Sequence, residues 1–167
     1  PMVRRTAFMI LRQAGVPERN APAAIAAIHR WVQRHLYYMH DPAGVEMLTQ
    51  ARVLLQQIER GEAVEDCDSF VLLEHALLNV VGIPTRSVIW KADKRAPDQW
   101  SHITLEAHDG RQWVHLDPIM KDKPIGWAPP RYYAKRVVPV GDGPPFPAGL
   151  RGHFEVAYLP RDQARET

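Results

Sequence analysis

Cysteine is nearly absent from this sequence, because Cys67 is the single thiol in a chain of 167 residues. A lone cysteine excludes an internal disulfide framework and any zinc module built on several cysteines. The net charge is also small, since 21 Lys and Arg stand against 19 Asp and Glu, a formal +2. A nucleic-acid binder usually carries a strong basic patch, so nucleic-acid binding is the weakest function class we consider.

Long apolar runs are missing as well. The run at residues 7–11 ends at Arg12 and is shorter than the apolar core of a signal peptide. No run approaches the roughly 20 apolar residues of a membrane-spanning helix. We therefore expect no signal peptide, no transmembrane segment and no membrane partner. The expected location is cytoplasmic, or virion-associated if a phage encodes the protein.

What the chain does contain is typical of a folded domain, with 46% apolar and 24% charged residues. Its length suits one domain, which we place over residues 1–167 with a core at about 22–118. The remainder, 119–167, is expected to be an extended, proline-rich segment, because 8 of the 15 prolines fall between Pro118 and Pro147. Proline excludes a long helix or a central strand there.

Apolar residues recur three and four positions apart in three stretches, which predicts helices over about 23–36, 45–60 and 68–80. Residues 41–44 form a predicted turn, and Gly61 a predicted C-cap of the second helix. Alternating patterns then predict strands over 85–90, 100–107 and 112–116, with a further short strand at 154–159. Helices followed by neighbouring strands indicate an α+β fold.

Cys67 lies where the third helix begins. The free N–H groups and the dipole of a helix start favour a thiolate, which is the nucleophilic form. Asp66 and Asp68 flank the cysteine and oppose ionisation, so the thiolate requires a histidine in contact with the sulfur. The alternative is that Cys67 is a small buried hydrophobic residue.

A hairpin offers that histidine. If Asp109-Gly110 is a two-residue turn, His102 and Asp117 lie directly opposite each other, with Cβ atoms about 5 Å apart. The apolar face of this hairpin is expected to build core, and the face of His102 to address the cysteine helix. Two alternatives remain open: an ordinary amphipathic hairpin, and a metal site formed by His102, His115 and Asp117.

Four segments together resemble the transglutaminase-like superfamily, and most of all its bacterial and phage-type members. Residues 61–70 (Gly-Glu-Ala-Val-Glu-Asp-Cys-Asp-Ser-Phe) and 82–86 (Gly-Ile-Pro-Thr-Arg) are similar to the cysteine segment of that family. Residues 101–106 and 113–118 are similar to its histidine and aspartate segments, and the resemblance covers roughly 25–118. The sequence departs from the usual pattern of the family at two places. Glu65-Asp66 lies where glycine is common, and Ser69 lies where a second aspartate is frequent.

The resemblance implies a papain-like α+β fold, with N-terminal helices and the cysteine helix packed on an antiparallel sheet. It implies a triad of Cys67 as nucleophile, His102 as general acid/base and Asp117 as orienting carboxylate. The oxyanion would be held by the Cys67 N–H and an upstream side chain. Tyr38 is the candidate for that side chain, with Trp31 and Tyr37 behind it.

The implied activity is cysteine-dependent amide chemistry through a thioester on a peptide or protein substrate, hydrolysis before transfer. No metal and no cofactor are implied. The alternative is a non-catalytic structural or assembly module of a phage or prophage particle, with partners in that particle.

Overall fold

A computed structural model describes residues 1–39 and 48–139 of the chain. The helices are α1 (Met2–Gln13), α2 (Ala21–His35), α3 (Ala51–Arg60) and α4 (Cys67–Asn79). The strands are β1 (Tyr37–Tyr38), β2 (Val64–Glu65), β3 (Thr85–Lys91), β4 (His102–His108), β5 (Trp113–Leu116) and β6 (Ala134–Pro139). The predicted α+β class is confirmed.

Helix α2 begins as its sequence predicts. The Asn20 side chain caps it by accepting a hydrogen bond from the Ala23 N–H at 3.1 Å, and Pro22 occupies the first turn. The apolar stripe predicted from the three-and-four spacing is buried along its whole length: Ile25, Ile28, Val32 and Leu36. The prediction of this helix is therefore confirmed.

Helix α3 is shorter than its pattern predicts, because it starts at Ala51 while residues 48–50 are not helical. The predicted start at 45 and the predicted turn at 41–44 lie outside the described residues. The end of α3 is as expected. Gly61 follows it with φ +73°, a left-handed conformation that glycine adopts without strain.

Helix α4 lies at the centre of the described structure. Helices α1, α2 and α3 pack against it from several sides, and strand β4 packs against it as well. As a result even Glu74 and His75 are buried, although only an apolar stripe was expected to face the interior. The predicted helix included residue 80, but α4 ends at Asn79 and Val80 is exposed.

The main sheet is antiparallel and has the strand order β5-β4-β3-β6. Strand β6 was not predicted, because its sequence lies in the proline-rich segment. It pairs with β3 at the edge of the sheet, which is the place where prolines are tolerated. The predicted strand at 154–159 lies outside the described residues. A second, two-stranded sheet pairs β1 with β2 in parallel.

The two faces of the hairpin β4–β5 divide as predicted, but their neighbours differ from the prediction. Ile103, Leu105 and Leu116 belong to the same buried cluster as α4, so the cysteine helix packs on the apolar face. The opposite face was expected to address that helix. It is instead covered near Trp90, whose ring meets Tyr132 edge-on with ring centroids 5.0 Å apart.

Within the described residues, no helix is both long enough and apolar enough to cross a bilayer.

Candidate functional site

Cys67 is the first residue of α4, and a short strand leads into it. Strand β2 ends at Glu65, and Asp66 is the N-cap in extended conformation. The Asp66 side chain makes no capping hydrogen bond, so the N-cap residue supplies no side-chain acceptor to the first N–H groups of the helix. The thiol is partly buried at this helix start.

The sulfur of Cys67 lies close to the backbone N–H of Ile103, at the beginning of strand β4. Ile103 follows His102 directly and precedes Leu105, the first residue of β4 that pairs with β5. Strand β5 therefore ends before it reaches Ile103, and the Cys67 sulfur lies near this start of β4, with which β5 does not pair.

Burial raises the pKa of the Cys67 thiol well above its usual range, and the negative charges of Asp66, Asp68 and Asp117 raise it further. The hydrogen bond from the Ile103 N–H acts in the opposite direction but does not compensate. The expectation that neighbouring carboxylates oppose the thiolate is thus supported. The site favours a neutral thiol that must lose its proton when it reacts.

His102 and Asp117 are in direct contact. Nε2 of the imidazole lies 2.8 Å from Oδ2 of the carboxylate. The Asp117 side chain is 2% exposed and the His102 side chain 16%, so the acid is sealed while the base remains accessible. A carboxylate bonded to Nε2 fixes the orientation of the ring and leaves Nδ1 as its second functional nitrogen.

The register behind this contact differs from the predicted one. Residues 108 and 113 pair, so the connection has four residues instead of two. The Asp109 carboxylate accepts hydrogen bonds from the N–H groups of Arg111 and Gln112, each at 2.8 Å, and this closes the longer turn. Gly110 in the same turn has φ +99°, which an L residue rarely adopts.

The corrected register shifts the pairing by two residues and so keeps each side chain on its predicted face. Leu116, the last residue of β5, pairs with Leu105. Continuing the register places Asp117 opposite Thr104 and diagonal to His102. Diagonal neighbours lie within reach of long side chains, which is why the pair meets although it is not directly opposite.

Tyr38 lies beside the segment that leads into Cys67. Strand β1 pairs Tyr38 with Glu65, and the Tyr38 ring meets the Phe70 ring edge-on at 6.5 Å, one turn after the cysteine. Tyr38 therefore borders the first turn of α4. Of the two further candidates, Trp31 is buried and stacks on His35, while Tyr37 is exposed.

The second face of the sheet carries a charge cluster around Glu106, four residues after His102 on strand β4. Burial opposes ionisation of Glu106, but Arg86, bonded through Nε at 2.6 Å, and Lys135 outweigh it and lower the pKa of that carboxyl. Trp90, opposite His102 in the register, donates its indole N–H to Thr104 at 2.8 Å. These contacts hold the strand on which the imidazole stands.

Among the described residues, His102, His115 and Asp117 do not form the metal site that was the alternative interpretation. There, no group of three or more His, Cys, Asp and Glu side chains is arranged to hold a metal ion. Burial lowers the pKa of His115, and its nearest acid in the structure is Glu106, at 3.9 Å from Nδ1.

Sequence reasoning missed the polar residues that α2 and α4 bury beside the site. His29 and Glu74 contact each other, and Gln33 reaches the backbone of Asp117. One signal was available for Glu74, since it interrupts an otherwise apolar stretch of α4. No comparable signal marks His29 or Gln33.

The family comparison matches residues 10–118 of this chain to the Transglutaminase-like superfamily. A comparison with curated protein sequences finds no match.

Two solved structures share the fold at low sequence identity. One is a candidate cysteine protease from Cytophaga hutchinsonii, with a TM-score of 0.53 and 20% identity over 80% of this chain. The chain spans 42% of the length of that protein. The other is Legionella pneumophila LapG, EGTA-treated, with a TM-score of 0.53 and 17% identity over 82% of this chain and 72% of LapG.

Proposed function

Because the chain belongs to the transglutaminase-like superfamily, we propose that it is a cysteine-dependent amide hydrolase or acyltransferase. Cys67 is the nucleophile, His102 the general acid/base and Asp117 the carboxylate that orients the imidazole. The observation that carries the proposal is the convergence of two contacts on one strand end. The His102–Asp117 hydrogen bond is 2.8 Å long, and the backbone N–H of the next residue along the strand, Ile103, lies close to the Cys67 sulfur.

The chemistry follows from the protonation of the groups. The raised pKa of the thiol means that proton transfer to His102 accompanies the attack, in place of a standing thiolate. Nε2 is held by Asp117, so Nδ1 accepts the thiol proton. The resulting imidazolium is stabilised by the buried carboxylate.

Attack forms a bond between the Cys67 sulfur and the carbonyl carbon of an amide. Collapse of the tetrahedral intermediate breaks the C–N bond, and the proton on His102 leaves with the amine. Water then attacks the thioester, with His102 again as base, and releases the carboxylic acid and the thiol. An amine in place of water would give transfer, and we favour hydrolysis.

The developing oxyanion needs hydrogen-bond donors. The Cys67 N–H belongs to the first turn of α4, where the N-cap side chain accepts no hydrogen bond. Tyr38 is the side-chain candidate, since it borders the same turn through Phe70. A peptide or protein amide is the substrate class that this arrangement suits.

The test uses the single cysteine of the chain. Alkylation by iodoacetamide, followed by intact mass, reports Cys67 alone, and Cys67→Ala is the blank. We expect His102→Ala to lower the alkylation rate at pH 7 by about a hundredfold, because the base that removes the thiol proton is lost.

A panel of peptide amides, assayed with wild type and Cys67→Ala, supplies the second readout. Turnover by wild type alone supports the enzyme. A non-catalytic module would instead be supported by two results together. Cys67 would be alkylated slowly and at the same rate in wild type and His102→Ala, and wild type and Cys67→Ala would show equal activity on the amides.

A further inference from the structure

Helix α2 touches both halves of the candidate site, although it contributes none of the three triad residues. On the α4 side, Nδ1 of His29 lies 2.9 Å from Oε1 of Glu74. Both side chains are buried, His29 to 3% exposure and Glu74 to 0%. Glu74 follows Cys67 by seven residues, so it lies about two turns, or ~10 Å, along the same helix.

On the other side, α2 holds the segment that follows β5. Nε2 of Gln33 lies 3.4 Å from the carbonyl oxygens of both Asp117 and Met120. Nζ of Lys121 donates to the carbonyl of Leu36, at the end of α2, at 2.9 Å. Gln33 follows His29 by one helical turn, so the two side chains project from one face of α2.

The pKa of His29 reflects its position near two carboxylates, Glu74 and Asp117. Burial disfavours the imidazolium of His29, but the carboxylate of Glu74, its hydrogen bond and the charge of Asp117 together raise the pKa of His29, against Arg30. Asp117 therefore lies close enough for its charge to act on His29. The charges of Asp117 and of Glu74, which lies on the cysteine helix, thus both act on the same histidine.

Stability alone gives a weak reason for this pair. Buried ion pairs are often matched in stability by apolar residues of similar volume, because two charges lose their hydration. Here the second oxygen of Glu74, Oε2, has no hydrogen-bond partner among the described residues, which adds to that cost. A contact of fixed length between two helices supplies what apolar packing does not, a defined relative position.

We propose that His29 and Glu74 are positioning residues that set the Cys67 helix relative to Asp117, with Gln33 completing the link. Glu74 anchors α4 to His29, and Gln33, one turn further along α2, holds the backbone of Asp117. The inference rests on the proposed function, since it assigns these residues a role in aligning the thiol with the His102–Asp117 pair.

The experiment measures the rate of Cys67 alkylation by iodoacetamide at pH 7, well below the melting temperature of each variant. Glu74→Leu removes the link and is expected to slow alkylation about tenfold or more, because small misplacements of reacting groups have large effects on rate. Glu74→Gln keeps an acceptor oxygen for His29 and is expected to remain within about threefold of wild type. Gln33→Leu, a milder change, is expected to slow the reaction about threefold or more.

His75→Leu is the matched control, because His75 is the buried neighbour of Glu74 on the same helix. It is expected to react at the wild-type rate. A purely structural role for the pair predicts the opposite sign for Glu74→Leu, since looser packing exposes the partly buried thiol and speeds alkylation. If Glu74→Leu does not unfold cooperatively, and so is not folded, the alkylation rate of Gln33→Leu decides instead. A slower rate than wild type supports the positioning role, and an equal or faster rate overturns it.

The two proposals fail in different ways. If His102→Ala reacts as wild type does, the proposed function falls. If His102→Ala slows alkylation but Glu74→Leu and Gln33→Leu react at the wild-type rate or faster, the triad stands and the positioning role is overturned.

Discussion

Two histidine–carboxylate pairs lie close to each other in this structure, and their contacts have nearly the same length. His102 and Asp117 are 2.8 Å apart, and His29 and Glu74 are 2.9 Å apart. In each pair one carboxylate oxygen holds the histidine while the other is buried with no hydrogen-bond partner among the described residues. Distance alone therefore does not tell a catalytic pair from a structural one.

What separates the pairs is the surroundings of each imidazole. His29 is enclosed between two helices. His102 instead lies at the start of a strand and is 16% exposed, and the N–H of the next residue, Ile103, lies close to the Cys67 sulfur. A general base needs both an orienting acid and access to the proton it removes. This difference supports the two proposals, in which the pair at the strand end carries out the chemistry and the pair between the helices positions it.

The largest expected effect comes from altering the acid of the accessible pair. Asp117→Asn keeps the volume but presents an amide to Nε2, which disturbs the tautomer and removes the charge that stabilises the imidazolium. We expect the alkylation rate of Cys67 at pH 7 to fall about a hundredfold, measured by intact mass. Glu74→Gln, the same change in the enclosed pair, is the control. Equal rates in both variants would remove the distinction drawn between the pairs.

When stability is measured instead of the alkylation rate, the enclosed pair is expected to show the larger effect. Glu74→Leu leaves His29 buried without its acid, and breaking such a pair is expected to cost about 3–5 kcal/mol in free energy of unfolding. His102→Ala removes a side chain that is partly open to water and is expected to cost about 1 kcal/mol. Urea unfolding of both variants checks the difference. A larger loss for His102→Ala contradicts it.

The pH dependence of stability separates His29 from a third buried histidine. Burial lowers the pKa of His75 to about 4 in the folded state, against 6.5 when unfolded. Below pH 6.5 the unfolded chain binds a proton that folded His75 does not, so stability falls by about 3 kcal/mol as the pH drops toward 4. We expect His75→Leu to remove most of that loss in urea titrations at pH 4.5 and 7.

His29 acts in the opposite direction, because burial and Arg30 oppose its charge but Glu74 and Asp117 outweigh them and raise its pKa. Its contribution to stability is complete below pH 6.5 and is lost as the pH rises through the folded-state pKa. His29→Gln is therefore expected to reduce the fall of the free energy of unfolding above pH 6.5. The fall below pH 6.5, which His75 causes, is expected to remain. If His29→Gln changed the free energy of unfolding only below pH 6.5, the raised pKa of His29 would be refuted.

The smallest effect belongs to an acid–base pair on the surface. Arg60 and Glu62 are 2.9 Å apart, yet both side chains are more than half exposed. Exposed pairs are screened by water and salt, so Glu62→Gln is expected to change the free energy of unfolding by about 0.5 kcal/mol or less. A loss comparable to that of Glu74→Leu would show that burial is not what distinguishes these pairs.

The sequence predicted the helices and strands whose pattern is local. The stripe of α2 and the left-handed Gly61 are set by neighbours within a few residues, so they were found. Strand β6 was missed because its partner β3 lies more than forty residues earlier along the chain, and prolines on either side hid the pattern. The hairpin turn was misjudged because the Asp109 side chain closes a four-residue connection that local rules assign to two.

For the candidate site, the sequence determined which residues are available: one thiol, placed at a helix start between two acids, and a histidine and an aspartate on neighbouring strands. Periodicity and residue type carry that information, since both are properties of short segments. Tertiary structure decided where β5 ends beside Cys67, how Asp117 reaches His102 across a diagonal, and that His29 and Glu74 are sealed between α2 and α4. These outcomes depend on the packing of segments far apart in the chain, which no local pattern encodes.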